Sequence, residues 1–258
     1  HIEAHGGFEN YKKAKGELFQ GLRNSYQKTI KGQKIPKIII ANIDDENCDY
    51  LLNFLAEQKI GFGLSPKNDH IKLCDRTIIP FSDNQLFTSP LLGEFNFYNC
   101  LAAYAIGDSQ KIDREIMKSV LAKVDSIPGR MEEIKQGQNF RVFVDLAHTS
   151  DSFKQVFETV KLIKKPDSKV IAVFGSAGGG RDRWKRPELG QIAAKFADFI
   201  VLTNEDPYNE NPADIISDIV AGVGKAQFPL EKVYKIEDRR LGIKKGLKIA
   251  EADDLVLI

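Results

Sequence analysis

Cysteine, methionine and tryptophan are scarce in this chain, and it has neither a long apolar run nor a surplus of charge of one sign. Three cysteines in 258 residues, Cys48, Cys74 and Cys100, are too few and too scattered for a disulfide framework or a zinc site. Such usage suits a reducing compartment, so a cytoplasmic protein is expected. No apolar run approaches the ~18–20 residues of a membrane helix, and no basic-then-apolar start suggests a signal peptide. Lys and Arg number 37 against 36 Asp and Glu, a net charge of +1, which offers no bulk attraction to nucleic acid or to an anionic membrane. With 42% hydrophobic and 28% charged residues, the chain reads as a soluble globular protein of one large domain or two ordinary ones.

The first residue is His1, and the last five, from Asp254 to Ile258, read as a buried strand with no turn after them. An internal fragment of a longer protein is the expectation. Residues 8–24 have helical spacing, 37–41 form a β-branched run, and 45–57 resume helical spacing. Short apolar pieces at 60–64, 71–74, 77–81 and 85–88 read as antiparallel strands, and 95–106 and 114–124 as helices. Pro128 and Gly129 punctuate the best linker. Beyond it, strands expected at 140–145, 170–174, 199–203, 232–236 and 255–258 alternate with helices at 152–163, 187–196, 212–220 and 239–250. Strict β/α alternation predicts a parallel, doubly wound sheet, whose ligands collect at the carboxyl ends of the strands.

Polar residues gather at three of those ends. The first runs from Asp145 through His148, Thr149 and Ser150 into a helix. Thr149 or Ser150 suits an N-cap, but capping leaves Asp145 and His148 unexplained, and an aspartate there could hold a ribose hydroxyl. The second holds Gly175, Gly178, Gly179 and Gly180, then Arg181, Arg183, Lys185 and Arg186 before Pro187. Glycines allow close approach of backbone N–H groups to an anion, and four cations favour a phosphate or carboxylate; the bland alternative is a solvated basic loop. The third, residues 204–212, by itself reads as a loop leading to a Pro-initiated helix.

These residues together resemble the Mur ligase family, most closely the branch that adds the third residue to a UDP-N-acetylmuramoyl-dipeptide. His1 to His5 with Glu9 to Lys15 resembles the end of the central domain's metal and lysine motif. Asn42 to Asp45 matches its N-x-D-D turn, and Gly93 to Ala103 its G-x-x-N-x-x-N-x-x-A-A helix. Gly129 to Glu132 resembles G-R-M-E, Asp145 to Thr149 resembles D-Y-A-H-T, and Arg181 to Pro187 resembles R-D-x-x-K-R-P. The resemblance implies an α/β chain in two parts. Residues 1–126 would be the remainder of a central ATP-binding domain. Residues 127–258 would be a Rossmann-like, mostly parallel C-terminal domain that receives the amino acid.

It further implies an ATP-dependent ligase that adds an amino acid of the diaminopimelate or lysine class to a UDP-N-acetylmuramoyl-peptide, using Mg²⁺. Lys15 would be carbamylated and metal-binding, with His1 as a second metal ligand. Asn96 and Asn99 would contact adenine, Arg130 and Asp145 ribose and phosphates, with His148 and Lys185 beside them. Arg181, Glu205, Asp206 and Tyr208 would receive the amino acid.

Departures from the family pattern are Leu146 for tyrosine, Ser150 for proline, one extra residue after Gly175, and the absence from this sequence of a G-K-S/T phosphate loop and of the segment expected after the last strand. Tyr208 stands where the diaminopimelate signature has an arginine, and tyrosine cannot pair with a carboxylate as arginine does. The alternatives are a folylpolyglutamate-type or other ligase of the superfamily, a catalytically silent nucleotide-binding homologue, and a dehydrogenase-like domain that lacks its fingerprint.

Overall fold

A computed structural model describes residues 2–64, 73–79 and 86–258. His1, an expected metal ligand, lies outside them. Apart from the first three residues the chain forms two compact units, Ala4–Asp125 and Ser126–Ile258. No helix among the described residues is long and apolar enough to cross a membrane.

The N-terminal unit begins with α1 (Phe8–Asn24) and a two-stranded hairpin of β1 (Thr29–Ile30) and β2 (Gln33–Lys34). Strand β3 (Ile38–Asn42), helix α2 (Cys48–Leu52), β4 (Gln58–Phe62) and β5 (Arg76–Ile78) follow, then α3 (Glu94–Ser109) and α4 (Arg114–Leu121). The strands pair in the order β3-β4-β5, all parallel. This corrects the antiparallel expectation. The segment after β3 carries the short helix α2, which packs on β3 and returns the chain to the starting edge, as a parallel neighbour requires. The helix expected over 45–57 is confined to the five residues of α2. The expected pieces at 71–74 and 85–88 lie partly outside the described residues, and their described residues form no strand. Alternation along β3 splits the core: Ile39 and Ala41 pack with Cys48 and Leu52, while Ile38 and Ile40 join the cluster of Cys100, Leu101 and Tyr104 from α3.

The C-terminal unit is built on β6 (Glu132–Glu133), β7 (Arg141–Val144), α5 (Ser150–Ile163), β8 (Val170–Phe174), α6 (Lys185–Phe196), β9 (Phe199–Leu202), α7 (Pro212–Lys225), β10 (Val233–Lys235), α8 (Arg239–Ile249) and β11 (Leu255–Leu257). The sheet order is β10-β9-β8-β11-β7-β6, parallel except for β6. All five residues of β8 are buried, because helices cover both faces. Phe153 of α5 meets Phe174 on one face, while Ile243 and Leu247 of α8 pack with Ile171 and Val173 on the other. The last strand is thus inserted between β7 and β8, and the winding reverses there. Crevices for ligands form at such a reversal, beyond the carboxyl ends of the strands.

Helices α6 and α7 pack through glycines. A Cβ on Gly222 would lie 1.8 Å from the Pro187 carbonyl oxygen, and one on Gly190 2.2 Å from that of Ile219. Both obstacles are backbone, so neither yields easily. Gly222→Ala is therefore expected to cost about 1–3 kcal/mol or more of stability by overpacking. Gly224→Ala, where a Cβ meets nothing within 4 Å, is expected to be neutral or stabilising by up to about 1 kcal/mol. Urea midpoints of the two variants check this; equal midpoints would remove the close helix contact.

Candidate functional site

Two motif segments of the C-terminal unit are stitched together by backbone donors. The Asp145 N–H donates to the Ile258 carbonyl (3.0 Å), and its own carboxylate accepts from Met131 N–H at Oδ2 and Ala147 N–H at Oδ1, both at 2.8 Å. Leu146 N–H donates to the Gly129 carbonyl (2.9 Å), and Gly129 N–H donates to Glu132 Oε2 (2.9 Å). Asp145 is therefore first a staple between residues 129–132 and the end of β7. Burial raises its pKa, opposed by the Met131 and Ala147 donors and by the charge of Arg130. Arg130 is exposed beside it and has no ion-pair partner among the described residues.

His148 is exposed, with Nδ1 3.0 Å from the Leu146 carbonyl oxygen. A carbonyl only accepts, so in this contact Nδ1 is the donor and Nε2 is left facing outward. Thr149 caps α5 in a capping box with Ser152. Ser150 starts the helix and donates its hydroxyl to Glu188.

The glycine-rich loop departs from expectation. Its glycines make room for the chain's own 203–208 segment: a Cβ on Gly175 would meet Thr203 O at 2.3 Å, and one on Gly178 would meet Pro207 O at 2.3 Å. Gly179, at φ +70°, lies against the Tyr208 ring. Gly178 N–H donates to the Asp206 carbonyl (3.0 Å). Gly180, also at positive φ, is open.

The four cations divide into two pairs. Arg186, 0% exposed, bonds Glu210 through Nη2 and Asp218 through Nη1, each at 3.0 Å, and reaches the Ala177 carbonyl at 3.4 Å. Arg183 approaches the same carboxylates at 3.7 and 3.8 Å. These two are structural, which corrects the expectation that all four address a ligand. Arg181 and Lys185 are left. Lys185 is 6% exposed; burial lowers its pKa, against the charges of Asp182 and Glu205, with Arg181 adding to the lowering. The chain thus brings Arg181, Lys185 and Glu205 into one electrostatic neighbourhood. Asp206 and Tyr208 both sit at positive φ, +27° and +53°, and Tyr208 is 65% exposed.

A cleft opens at this edge, lined by Asp145, Gly175, Glu205 and Arg239, with Phe153 and Leu257 among its apolar walls. Arg239 was not singled out in the sequence. It follows the fourth strand end, where Asp238 caps α8, and a strand-end Asp–Arg pair was the signal available.

In the N-terminal unit, Tyr98 of α3 donates to Asp44 Oδ2 (2.8 Å), which also takes the Leu64 N–H, so the Asn42–Asp45 turn is fastened to the helix that carries the two asparagines. Asn96 is 0% exposed; its amide donates to the Leu92 carbonyl (2.8 Å) and its oxygen accepts from Asn99 (3.3 Å). Of the two asparagines only Asn99 is exposed, its amide held by Asn96. Lys15 is exposed on α1, 5.4 Å from the Tyr11 ring centre. Among the described residues no three His, Cys, Asp or Glu side chains are grouped to hold a metal ion.

Comparison with known proteins adds the following. Residues 129–258 match the family model for the Mur ligase, glutamate ligase domain, and residues 1–107 that for the Mur ligase middle domain. A UDP-N-acetylmuramoyl-L-alanyl-D-glutamate--2,6-diaminopimelate ligase of Syntrophomonas wolfei is 34% identical over 266 residues, covering 100% of this chain and 52% of that protein. One from Geobacillus kaustophilus is 34% identical over 267 residues with the same coverage. The chain spans about half the length of the curated relatives it matches. A solved structure of such a ligase, 29% identical, aligns over 97% of this chain and 50% of its own with a TM-score of 0.51. A pseudomurein peptide ligase type C from Methanothermus fervidus, 17% identical, shares the fold over 86% of this chain and 53% of its own with a TM-score of 0.60.

Removing the Arg186 charge leaves Glu210 and Asp218 with only the more distant, exposed Arg183 as an ion-pair partner among the described residues. Arg186→Met is expected to lower stability by about 3–5 kcal/mol, the usual cost of breaking a buried pair from one side. Loss of under about 1 kcal/mol in a denaturant titration would place the pair in the surface class. Lys185 behaves in the opposite sense. A group whose pKa is lowered by folding contributes fully above its unfolded value and loses that contribution as pH falls through the folded value. Lys185→Met is thus expected to be at least as stable as wild type at neutral pH, the margin vanishing as pH rises towards the ordinary 10.5. A variant clearly weaker at neutral pH would show that the lysine's charged neighbours outweigh its burial.

Proposed function

The chain belongs to the Mur ligase family, and from that footing we propose that it works in a cytoplasmic, ATP-dependent ligase that joins a diamino acid to a UDP-N-acetylmuramoyl-peptide during peptidoglycan precursor synthesis. The observation that carries this reading is the convergence of three strand-end segments, 145–149, 175–186 and 204–210, on one sheet edge, with both charge signs lining a cleft. Such an edge suits a nucleotide and a zwitterion.

In the reaction the peptide's carboxylate attacks the γ-phosphorus of ATP, ADP leaves, and an acyl phosphate results. The amine of the incoming amino acid attacks the acyl carbon, and the tetrahedral intermediate collapses to the amide with release of phosphate and a proton. Asn99, steadied by Asn96, binds adenine. Arg130 and Asp145 hold ribose and phosphate oxygens, with Asp145 keeping its backbone bonds, and His148 Nε2 accepts a hydrogen bond from the nucleotide. Lys185 supports the phosphates from within the glycine loop. Arg181 takes the α-carboxylate, while Glu205 and Asp206 face ammonium groups and Tyr208 shapes the entrance.

Magnesium supplies charge neutralisation at the phosphates when bound. The described side chains gather no ligand set for it, and Lys15 would contribute a single carbamate, so no step is assigned to the metal.

The test uses the full-length protein, assayed for ADP release that requires both a UDP-N-acetylmuramoyl-dipeptide and a diamino acid. Lys15→Ala is expected to lower kcat by about 10²–10³, the effect of losing one oriented charge-stabilising group, with acetate restoring part of it. ADP release that ignores both acceptor and amino acid sinks the ligase reading; full activity of Lys15→Ala removes that lysine from the site.

A further inference from the structure

The carboxyl-edge cleft contains opposite charges that do not touch. Glu205, just beyond β9, and Arg239, the first residue of α8, both line it. No ion pair joins them, and neither has one elsewhere among the described residues. Arg239 is open to solvent and, among the described residues, Glu205 has only the field of Lys185 near it, so both charges remain open in the cleft to a ligand that carries both signs.

The fold has no use of its own for a cation at position 239. Helices α5, α6 and α7 begin with Asp151, Glu188 and Asp214 in their first turns, as the helix dipole favours. Helix α8 begins with Arg239 and Arg240 and no acid in that turn, and the Asp238 carboxylate is engaged by Leu241 N–H at 2.8 Å. Yet the start of α8 is held firmly to the end of β9. Asn204 N–H donates to the Glu237 carbonyl (3.1 Å), Thr203 Oγ1 reaches the same oxygen (3.3 Å), and Ile236 N–H donates to Leu202 O (2.9 Å). The backbone that carries both residues is thereby held in place.

Two buried polar atoms next in sequence to lining residues lack a partner among the described residues, although neither residue lines the cleft itself. Ser176 Oγ, in a residue 3% exposed, adjoins the lining residue Gly175; Asn204 Oδ1 adjoins Glu205.

The geometry points to a specificity site. Arg239 binds the distal carboxylate of the incoming amino acid and Glu205 its distal ammonium, so the donor is a diamino dicarboxylic acid rather than a diamino monocarboxylic one. This rests on the ligase reading and deepens it. A guanidinium suits the role because its paired N–H groups match both oxygens of a carboxylate, and Tyr208, the exposed residue of the neighbouring loop, carries no charge with which to compete.

The experiment compares kcat/KM for meso-diaminopimelate and lysine in the full-length enzyme, with ADP release as the readout. Wild type is expected to prefer diaminopimelate. Arg239→Gln should lower kcat/KM for diaminopimelate by about 10–100-fold, as loss of one charged hydrogen-bonded pair predicts, and leave lysine unchanged. Arg239→Lys should recover part of the loss, and the KM for ATP should not move. Arg239 is exposed, so the thermal midpoint of each variant is expected to match wild type. An unchanged ratio of the two amino acids overturns the assignment while amino-acid-dependent ADP release upholds the ligase reading. Equal losses for both amino acids, or a raised KM for ATP, also overturn it. Absence of amino-acid-dependent ADP release in wild type overturns both together.

Discussion

With no surface exposed, the Arg186 guanidinium lies among Glu210, Asp218 and the Ala177 carbonyl, and three stretches of chain meet on it. Ala177 belongs to the glycine-rich loop, Glu210 to the loop after β9, and Asp218 to α7. A charge out of water is tolerated only when surrounded by partners, so these stretches hold their positions together or the charge is left unpaired. The close α6–α7 contact through Gly190 and Gly222 places Arg186 and Asp218 within reach. Whatever the cleft binds, its two principal loops are positioned by this cluster.

A second fastening works at the other side of the cleft. Residues 129–132 enter the C-terminal unit as a turn, with Gly129 and Met131 both at positive φ, and Asp145 receives the Met131 N–H. The linker's end is thus bonded to the end of β7 before any ligand arrives. Preorganised contacts of this kind place Arg130 and Asp145 side by side without ordering them at the moment of binding. In the N-terminal unit Asp44 plays a comparable part, joining a turn to α3 through Tyr98, whose pKa is raised by burial and by that hydrogen bond.

Motif residues therefore fall into those that build the site and those left to act in it. Asn96 and Arg186 are buried and bonded within their own chain, and the exposed Thr149 and Arg183 are engaged by a helix cap and by carboxylates, whereas Asn99, His148, Arg130 and Tyr208 are exposed with no ion pair among the described residues. Their spacing alone does not separate the two groups. Arg183 and Arg186 stand in the same run as Arg181 and Lys185, and only the carboxylates of Glu210 and Asp218 distinguish them.

From the sequence alone came the alternating strands and helices beyond residue 140, the parallel pairing of those strands, and an N-cap at Thr149 or Ser150. These rest on local properties: periodicity, side-chain oxygens near a helix start, and glycines at sharp turns act within a few residues. Helical spacing at 45–57 was legible, although only Cys48–Leu52 of it forms a helix, but the parallel pairing of β3, β4 and β5 was not, because strand direction depends on where each connection packs. Nor was the insertion of β11 between β7 and β8, which arises when α8 covers the face opposite α5. Arg239 enters the cleft only through that arrangement, since its neighbours there, Glu205 and Asp145, are remote in sequence. Tertiary structure decided which charges were paired and which remained open, because ion pairing depends on distance in space and burial, and neither is encoded in the spacing of residues along the chain.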